Sequence, residues 1–215
     1  MKKGRNKILI AICLFVAFVG WTVLVRLVDV RPIGPQGSNV GFSTINGAFH
    51  RMTGVHMMLY TITDWLGLVP IAVALGFAVL GLCQWIKRKS MLRVDCSILV
   101  LGGFYLVVMA VYLFFEMVVV NRRPVLIEGY LEASYPSSTT MLVLCVMPTA
   151  MLQFHDRIKK CAVRRCVLLI IAAFAAFMVI GRLLSGVHWI TDIIGGGLIS
   201  ASLVMAYVSI VYPKT

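Results

Sequence analysis

An all-α, polytopic membrane protein, built as a bundle of six transmembrane helices, is the fold this sequence predicts. Three observations predict it. The 215-residue chain is 60% hydrophobic and only 13% charged. Its apolar residues gather into runs of about 20, the length that spans a hydrocarbon core of ~30 Å. Its basic residues, which give a formal charge of +12, stand in short clusters between those runs. A charge of that size can suggest nucleic acid. Its placement here reads instead as a topology determinant and a contact with anionic headgroups, so the bilayer is the expected partner and no nucleic acid is.

In chain order the spans fall at about 8–28, 66–86, 97–120, 138–154, 166–184 and 189–211. The first follows Lys2, Lys3, Arg5 and Lys7 as a signal peptide would, but it is long and ends without a small-residue cleavage site, so it is expected to stay as an anchor. A longer connection, about 29–65, comes next. Pro32, Gly34, Pro35, Gly37 and Ser38 mark its turn-rich start, and Thr44 to Trp65 is expected as an amphipathic helix along the interface. The fourth span is short and carries Pro148. With no internal repeat and no low-complexity stretch, residues 1–215 are expected to form one domain. Cys13, Cys83, Cys96, Cys145, Cys161 and Cys166 show neither metal spacing nor a disulfide framework, and read as reduced packing residues.

The basic residues test this order. Residues 2, 3, 5 and 7, then 87, 88, 89 and 93, then 157, 159, 160, 164 and 165, and Lys214 all fall on one side: fourteen of the twenty Lys and Arg. The positive-inside rule makes that side, with both termini, cytoplasmic, and a plasma-membrane location is expected. Arg26, Arg31, Arg51, Arg122, Arg123 and Arg182 stand at or beyond the outward ends of spans.

Three stretches with chemistry share that outward face. In Gly181–Asp192, the residues Arg182, His188 and Asp192 crowd a short turn between two apolar runs, where ionisable side chains are functional candidates. If helix begins near His188, Asp192 lies four residues on and on the same face, able to hold one ring N–H and leave the other nitrogen as nucleophile or base. Arg182 offers a positive fork suited to phosphate. The plainer alternative is a polar knot that caps two helices. Asn121-Arg122-Arg123-Pro124 puts two arginines at a span's outer end, against the topological bias, which calls for an anion. Tyr135-Pro136-Ser137-Ser138-Thr139-Thr140 reads as a turn into a helix N-terminus, where free N–H groups, hydroxyls and the dipole suit phosphate, or as a simple cap.

Order and spacing together resemble the type 2 phosphatidic acid phosphatase superfamily, integral-membrane enzymes with a six-helix core. The third motif of that family is Ser-Arg, five residues, His, three residues, Asp; here Gly181-Arg182, His188 and Asp192 hold those positions. Its first motif is Lys, six residues, Arg-Pro; Arg123-Pro124 match, with Glu116 at the lysine position. Its second is Pro-Ser-Gly-His; Pro136-Ser137 match, with Ser138 for glycine and Thr139 for histidine.

The resemblance implies His188 as the nucleophile forming a phosphohistidine, Asp192 as its partner, and a phosphate cradle of Arg123, Arg182 and Ser137, with Ser138 and Thr139 beside it. It also implies a lost general acid, because Thr139 does not titrate near neutral pH; for an alkoxide leaving group that costs on the order of 10²–10⁴-fold. A phosphate leaving group needs less help, so a polyprenyl diphosphate is the favoured substrate among lipid phosphates and diphosphates. His50, His56 and Arg122 are auxiliary candidates, reaching in to replace the missing groups, while His155 lies on the cytoplasmic side. No metal and no cofactor are expected. Two alternatives stay open: a lipid phosphotransferase, and a weakly active member that binds lipid phosphate or scaffolds a complex. The oligomeric state is not addressed by the sequence.

Overall fold

The structure, a computed structural model, describes residues 2–213, so Lys214 of the basic tally lies outside the described residues. Among the described residues there are eight α-helices: α1 (Lys2–Leu27), α2 (Ser43–Thr53), α3 (Met57–Leu66), α4 (Leu68–Arg88), α5 (Cys96–Met117), α6 (Ser138–Arg157), α7 (Cys161–Leu184) and α8 (Ile190–Val211). Single 3₁₀ turns stand at Pro35–Gly37 and Met91–Arg93.

Among the described residues, five stretches are long and apolar enough to cross a membrane: Gly4–Leu27, Met57–Arg88, Cys96–Met117, Cys161–Leu184 and Ile190–Val211. The expected sixth, 138–154, is a helix, but not one of these. The physical reason is burial. α6 packs against α4, α5, α7 and α8 at once, so protein rather than lipid surrounds it and it can carry polar residues. Thr149 and Gln153 are fully buried in it, and Gln153 bonds the Tyr207 hydroxyl of α8 at 2.5 Å.

The connection after α1 also departs from expectation. Instead of one interfacial helix over 44–65, the chain breaks at Gly54, whose φ of +70° ends α2. Then α3 packs on α7 and leads into α4 through Gly67, which keeps right-handed helical angles (φ −60°, ψ −18°). The second apolar helical stretch therefore starts at Met57, not at 66. The cysteines are all free, as expected, but only Cys145 is a packing residue; the other five are exposed on the helix surfaces.

Because α1 lies antiparallel against α8, both chain ends meet at one end of the bundle, where Lys7 Nζ donates to the Tyr212 carbonyl at 2.7 Å. Asp95, just before α5, gathers the same end together. It accepts from Gln84 Nε2 at 2.8 Å, from Arg88 Nη1 at 2.9 Å and from Arg157 Nη2 at 3.5 Å. The loops 118–137 and 185–189 lie at the opposite end.

Candidate active site

The loop 118–137 begins as a short antiparallel excursion, with bridges at Arg122–Ala133 and Ile127–Tyr130. Glu128 and Gly129 both adopt positive φ (50° and 85°), the turn geometry that brings two strands back on each other. This pairing sets Arg123, whose backbone N–H donates to the Glu132 carbonyl at 3.1 Å, on the inner side of the loop. The 185–189 loop is fixed from beneath by α2 and the turn after it. The Ser185 carbonyl accepts from His56 N–H at 2.9 Å, and the Gly186 carbonyl lies 3.2 Å from His50 Nε2. Gly186 (φ +69°) leaves no room for a side chain, since a Cβ would fall 2.0 Å from the Gly54 carbonyl oxygen. Packing of that closeness selects glycine.

The structure brings the three stretches together around His188. Its Nδ1 lies 3.2 Å from the Ser134 carbonyl, and a carbonyl only accepts, so Nδ1 carries the proton and Nε2 keeps its lone pair. That lone pair faces Arg123, with Nη1 at 3.4 Å. Burial first, and then the charges of Arg123 and Arg182, hold the imidazole well below its ordinary value of 6.5, against a smaller upward pull from Ser134. The ring is neutral at physiological pH, as a nucleophile must be.

Asp192 is placed differently from the i, i+4 expectation. Helix begins at Ile190, so His188 sits in the turn before it and Asp192 in its first turn. The carboxylate is drawn to the unpartnered amides of that helix start: Oδ2 accepts from Trp189 N–H at 3.0 Å, and Oδ1 from Asn121 Nδ2 at 3.4 Å. Its nearest approach to His188 Nδ1 is 3.8 Å, charge proximity rather than a hydrogen bond.

Arg182 is 1% exposed, yet its counter-ion Asp64, 3.3 Å from Nη2, has a side chain 55% exposed. Arg123 is paired at 3.0 Å with Glu132, 44% exposed. Neither Nε makes a directed hydrogen bond, and the Ser137 and Thr140 hydroxyls are buried without partners. Both guanidiniums lie over the Tyr60 ring, at 5.9 Å for Arg123 and 4.9 Å for Arg182. Desolvated cations answered only by wet carboxylates, beside unfilled donors, form a site prepared for an anion.

The other candidates have their own partners. Arg122 Nη1 donates to the Leu131 carbonyl at 2.9 Å, and its own carbonyl accepts from Trp189 Nε1 at 2.7 Å. His56 Nε2 lies 2.9 Å from the Thr53 carbonyl, and the His50 ring packs tilted against Trp189 with centroids 5.5 Å apart. These three brace the loops that carry Arg123 and His188. Thr139 lies in the first turn of α6, whereas its neighbour Ser138 lines a cleft beside His188. Sequence reasoning missed Tyr60, Asp64 and Thr63, whose Oγ1 accepts from Arg182 Nη1 at 3.5 Å, because an interfacial helix gives no reason to look there, and it missed the Ser134 carbonyl, which as backbone leaves no residue-type signal.

Comparison with known proteins agrees with this geometry. The sequence model of the PAP2 superfamily matches residues 116–215, the stretch that holds Arg123, Ser137, Arg182, His188 and Asp192. Over those residues, this chain is similar to the PAP2 superfamily. No curated protein matches it. Among solved structures it is similar to the crystal structure of a transmembrane PAP2-type phosphatidylglycerolphosphate phosphatase from Bacillus subtilis. The TM-score is 0.56 at 19% identity, with 95% of this chain and 97% of that one covered. That likeness reaches the whole chain, including the α1–α4 region outside the family match. With its five apolar helices and a transmembrane PAP2 fold, the chain is an integral membrane protein.

Proposed function

We infer that this PAP2 protein is a metal-independent phosphatase of lipid phosphates or diphosphates, acting at the outer membrane face through a phosphohistidine. One observation carries the reading: a buried, neutral imidazole presents its free Nε2 to Arg123, beside Arg182, in a site with positive charge to spare. Nε2 attacks phosphorus while the two guanidiniums and the Ser137 hydroxyl hold the phosphoryl oxygens. As the ring gains charge, Ser134 keeps its Nδ1–H and Asp192, 3.8 Å away, compensates electrostatically. The arginines supply the positive charge that a metal would otherwise bring, and among the described residues no cluster of His, Cys, Asp and Glu suited to a metal occurs.

A polyprenyl diphosphate is the first-choice substrate, since Thr139 offers no titrating acid and a phosphate leaving group asks least of one. Lipid monoesters, the substrate class named for the Bacillus structure, come second. The test is phosphate release by the purified protein from a panel of lipid phosphates and diphosphates, with chelator present. Release from diphosphates ahead of monoesters supports the reading. Strict dependence on an added divalent cation refutes its metal independence, and binding without release identifies a lipid-phosphate-binding member instead. Orientation is tested separately: a cysteine at the exposed position 130 of a Cys-free variant should label only from outside.

A further inference from the structure

Beside His188 opens a cleft of about 10 Å³, close to the size at which a cavity begins to hold one water. Tyr112 and Glu116 at the end of α5, Ser134 and Pro136 in the connecting loop, and Ser138 at the start of α6 line it with His188. Glu116 is the one carboxylic acid in that lining. Its residue is exposed on the protein surface. Tyr112, one turn earlier on α5, lines the same cleft. The charged groups facing this pair from the connecting loop are Glu132 and Arg123, and the other titratable groups at the cleft are Tyr135 and His188. Among the described residues, Glu132 is ion-paired to Arg123, whereas Glu116 has no ion pair.

We propose that Glu116 is the proton donor and acceptor of this site, in the place where Thr139 offers none. The inference rests on the phosphatase reading, and it removes the ground on which a diphosphate was preferred to a monoester. A phosphate held on Arg123 and Arg182 brings oxyanions towards a carboxylate that has no cation of its own, and a proton between them relieves the repulsion. In the first half-reaction Nε2 forms a bond to phosphorus and the phosphorus–oxygen bond to the leaving group breaks. The Glu116 proton goes to that oxygen, giving the alcohol and a carboxylate. In the second, a water in the cleft attacks phosphorus, the phosphorus–nitrogen bond breaks, and its electron pair returns to Nε2. Glu116 takes the proton from the water, and the site is restored with phosphate released. Position suits the role: Glu116 stands at the end of α5 and lines the same cleft as the nucleophile.

Glu116→Gln keeps the shape and removes the titration. Turnover of an alkyl lipid monophosphate should fall roughly 10²–10³-fold. An aryl phosphate with a good leaving group, and a lipid diphosphate, should lose less than about 10-fold. The alkaline limb of the monoester kcat profile should disappear with the carboxyl group. A second measurement does not depend on turnover. Binding of inorganic phosphate near pH 8, followed calorimetrically in buffers of different ionisation heat, should take up about one proton more in wild type than in Glu116→Gln. Equal losses on all three substrates, no loss on the monoester, or equal proton uptake each overturn the proposal while leaving the phosphatase reading intact. A wild type that releases phosphate from no substrate overturns both.

Discussion

The two ends of the bundle handle charge in opposite ways. At the end where the termini meet, Asp95 is answered by Gln84, Arg88 and Arg157, Tyr212 by Asp156 and Lys7, and Gln153 by Tyr207 and Arg157. Every polar group named there has its partner, and the network ties α1, α4, α5, α6 and α8 together. At the other end Arg182 is just as buried, yet two long contacts serve it, to the Thr63 hydroxyl at 3.5 Å and to a half-exposed carboxylate at 3.3 Å, and its Nε serves no one. A satisfied network is a clamp, complete without a ligand. An unsatisfied one of a single sign is a receptor, whose missing partner arrives from solution.

The comparison breaks first at His188. His188→Ala should lower phosphate release by roughly 10⁴-fold or more, with helix content unchanged by circular dichroism, because it removes the nucleophile from a loop and not from the packed core. Full activity in the purified variant would leave the receiving end without a reaction.

A matched pair of substitutions then separates clamp from receptor. Arg182→Gln should cost roughly 10²–10³-fold in kcat/KM, since a charge-stabilising donor is lost. Its Tm without phosphate should hold, because an incompletely paired cation is removed. The rise in Tm that phosphate gives the wild type should vanish. Asp95→Ala should do the reverse: kcat/KM and the phosphate-induced rise persist, while stability drops by about 1 kcal/mol, a modest figure because the Asp95 side chain is 40% exposed. If Arg182→Gln unfolds the protein and Asp95→Ala does not, the assignment of the two ends is inverted.

The finest test is pH. The folded-state value of His188 lies below its unfolded value of 6.5, so between the two the unfolded chain holds a proton that the native chain refuses. Stability from this group is complete above about 6.5 and is lost as pH falls towards the folded value, at a slope of at most about 1.4 kcal/mol per pH unit. Thermal unfolding from pH 7.5 to 5 should therefore show a steeper decline in wild type than in His188→Asn. The acid limb of kcat/KM, read on a substrate whose phosphate does not titrate in that window, should lie below 6.5. Parallel unfolding curves would mean that the ring is not held neutral.

Much of this protein was legible in one dimension. Hydropathy and charge clustering are properties of consecutive residues, and the bilayer acts on them as such, so the membrane class and the grouping of basic connections at one end could be read directly. The third motif was legible for the same reason: Arg182, His188 and Asp192 are close in the chain as well as in space.

What the tertiary structure alone decided involves groups that meet across long separations or compete locally for one partner. α6, expected as a span, is enclosed by four neighbours, and enclosure is not written in its own composition. Tyr60 and Asp64 became partners of Arg182 because Gly67 keeps α3 running into α4 and α3 against α7. Asp192, four residues from His188 in sequence, turned to the Trp189 amide instead, since a helix start offers a carboxylate nearer and better-aimed donors. Glu116 seemed a mere loss when set against the lysine of a motif, and only the packing of α5 against the 134–138 segment set it at the cleft of His188. Sequence spacing determines which chemistry is at hand; side-chain direction, fixed by packing, determines which groups can touch.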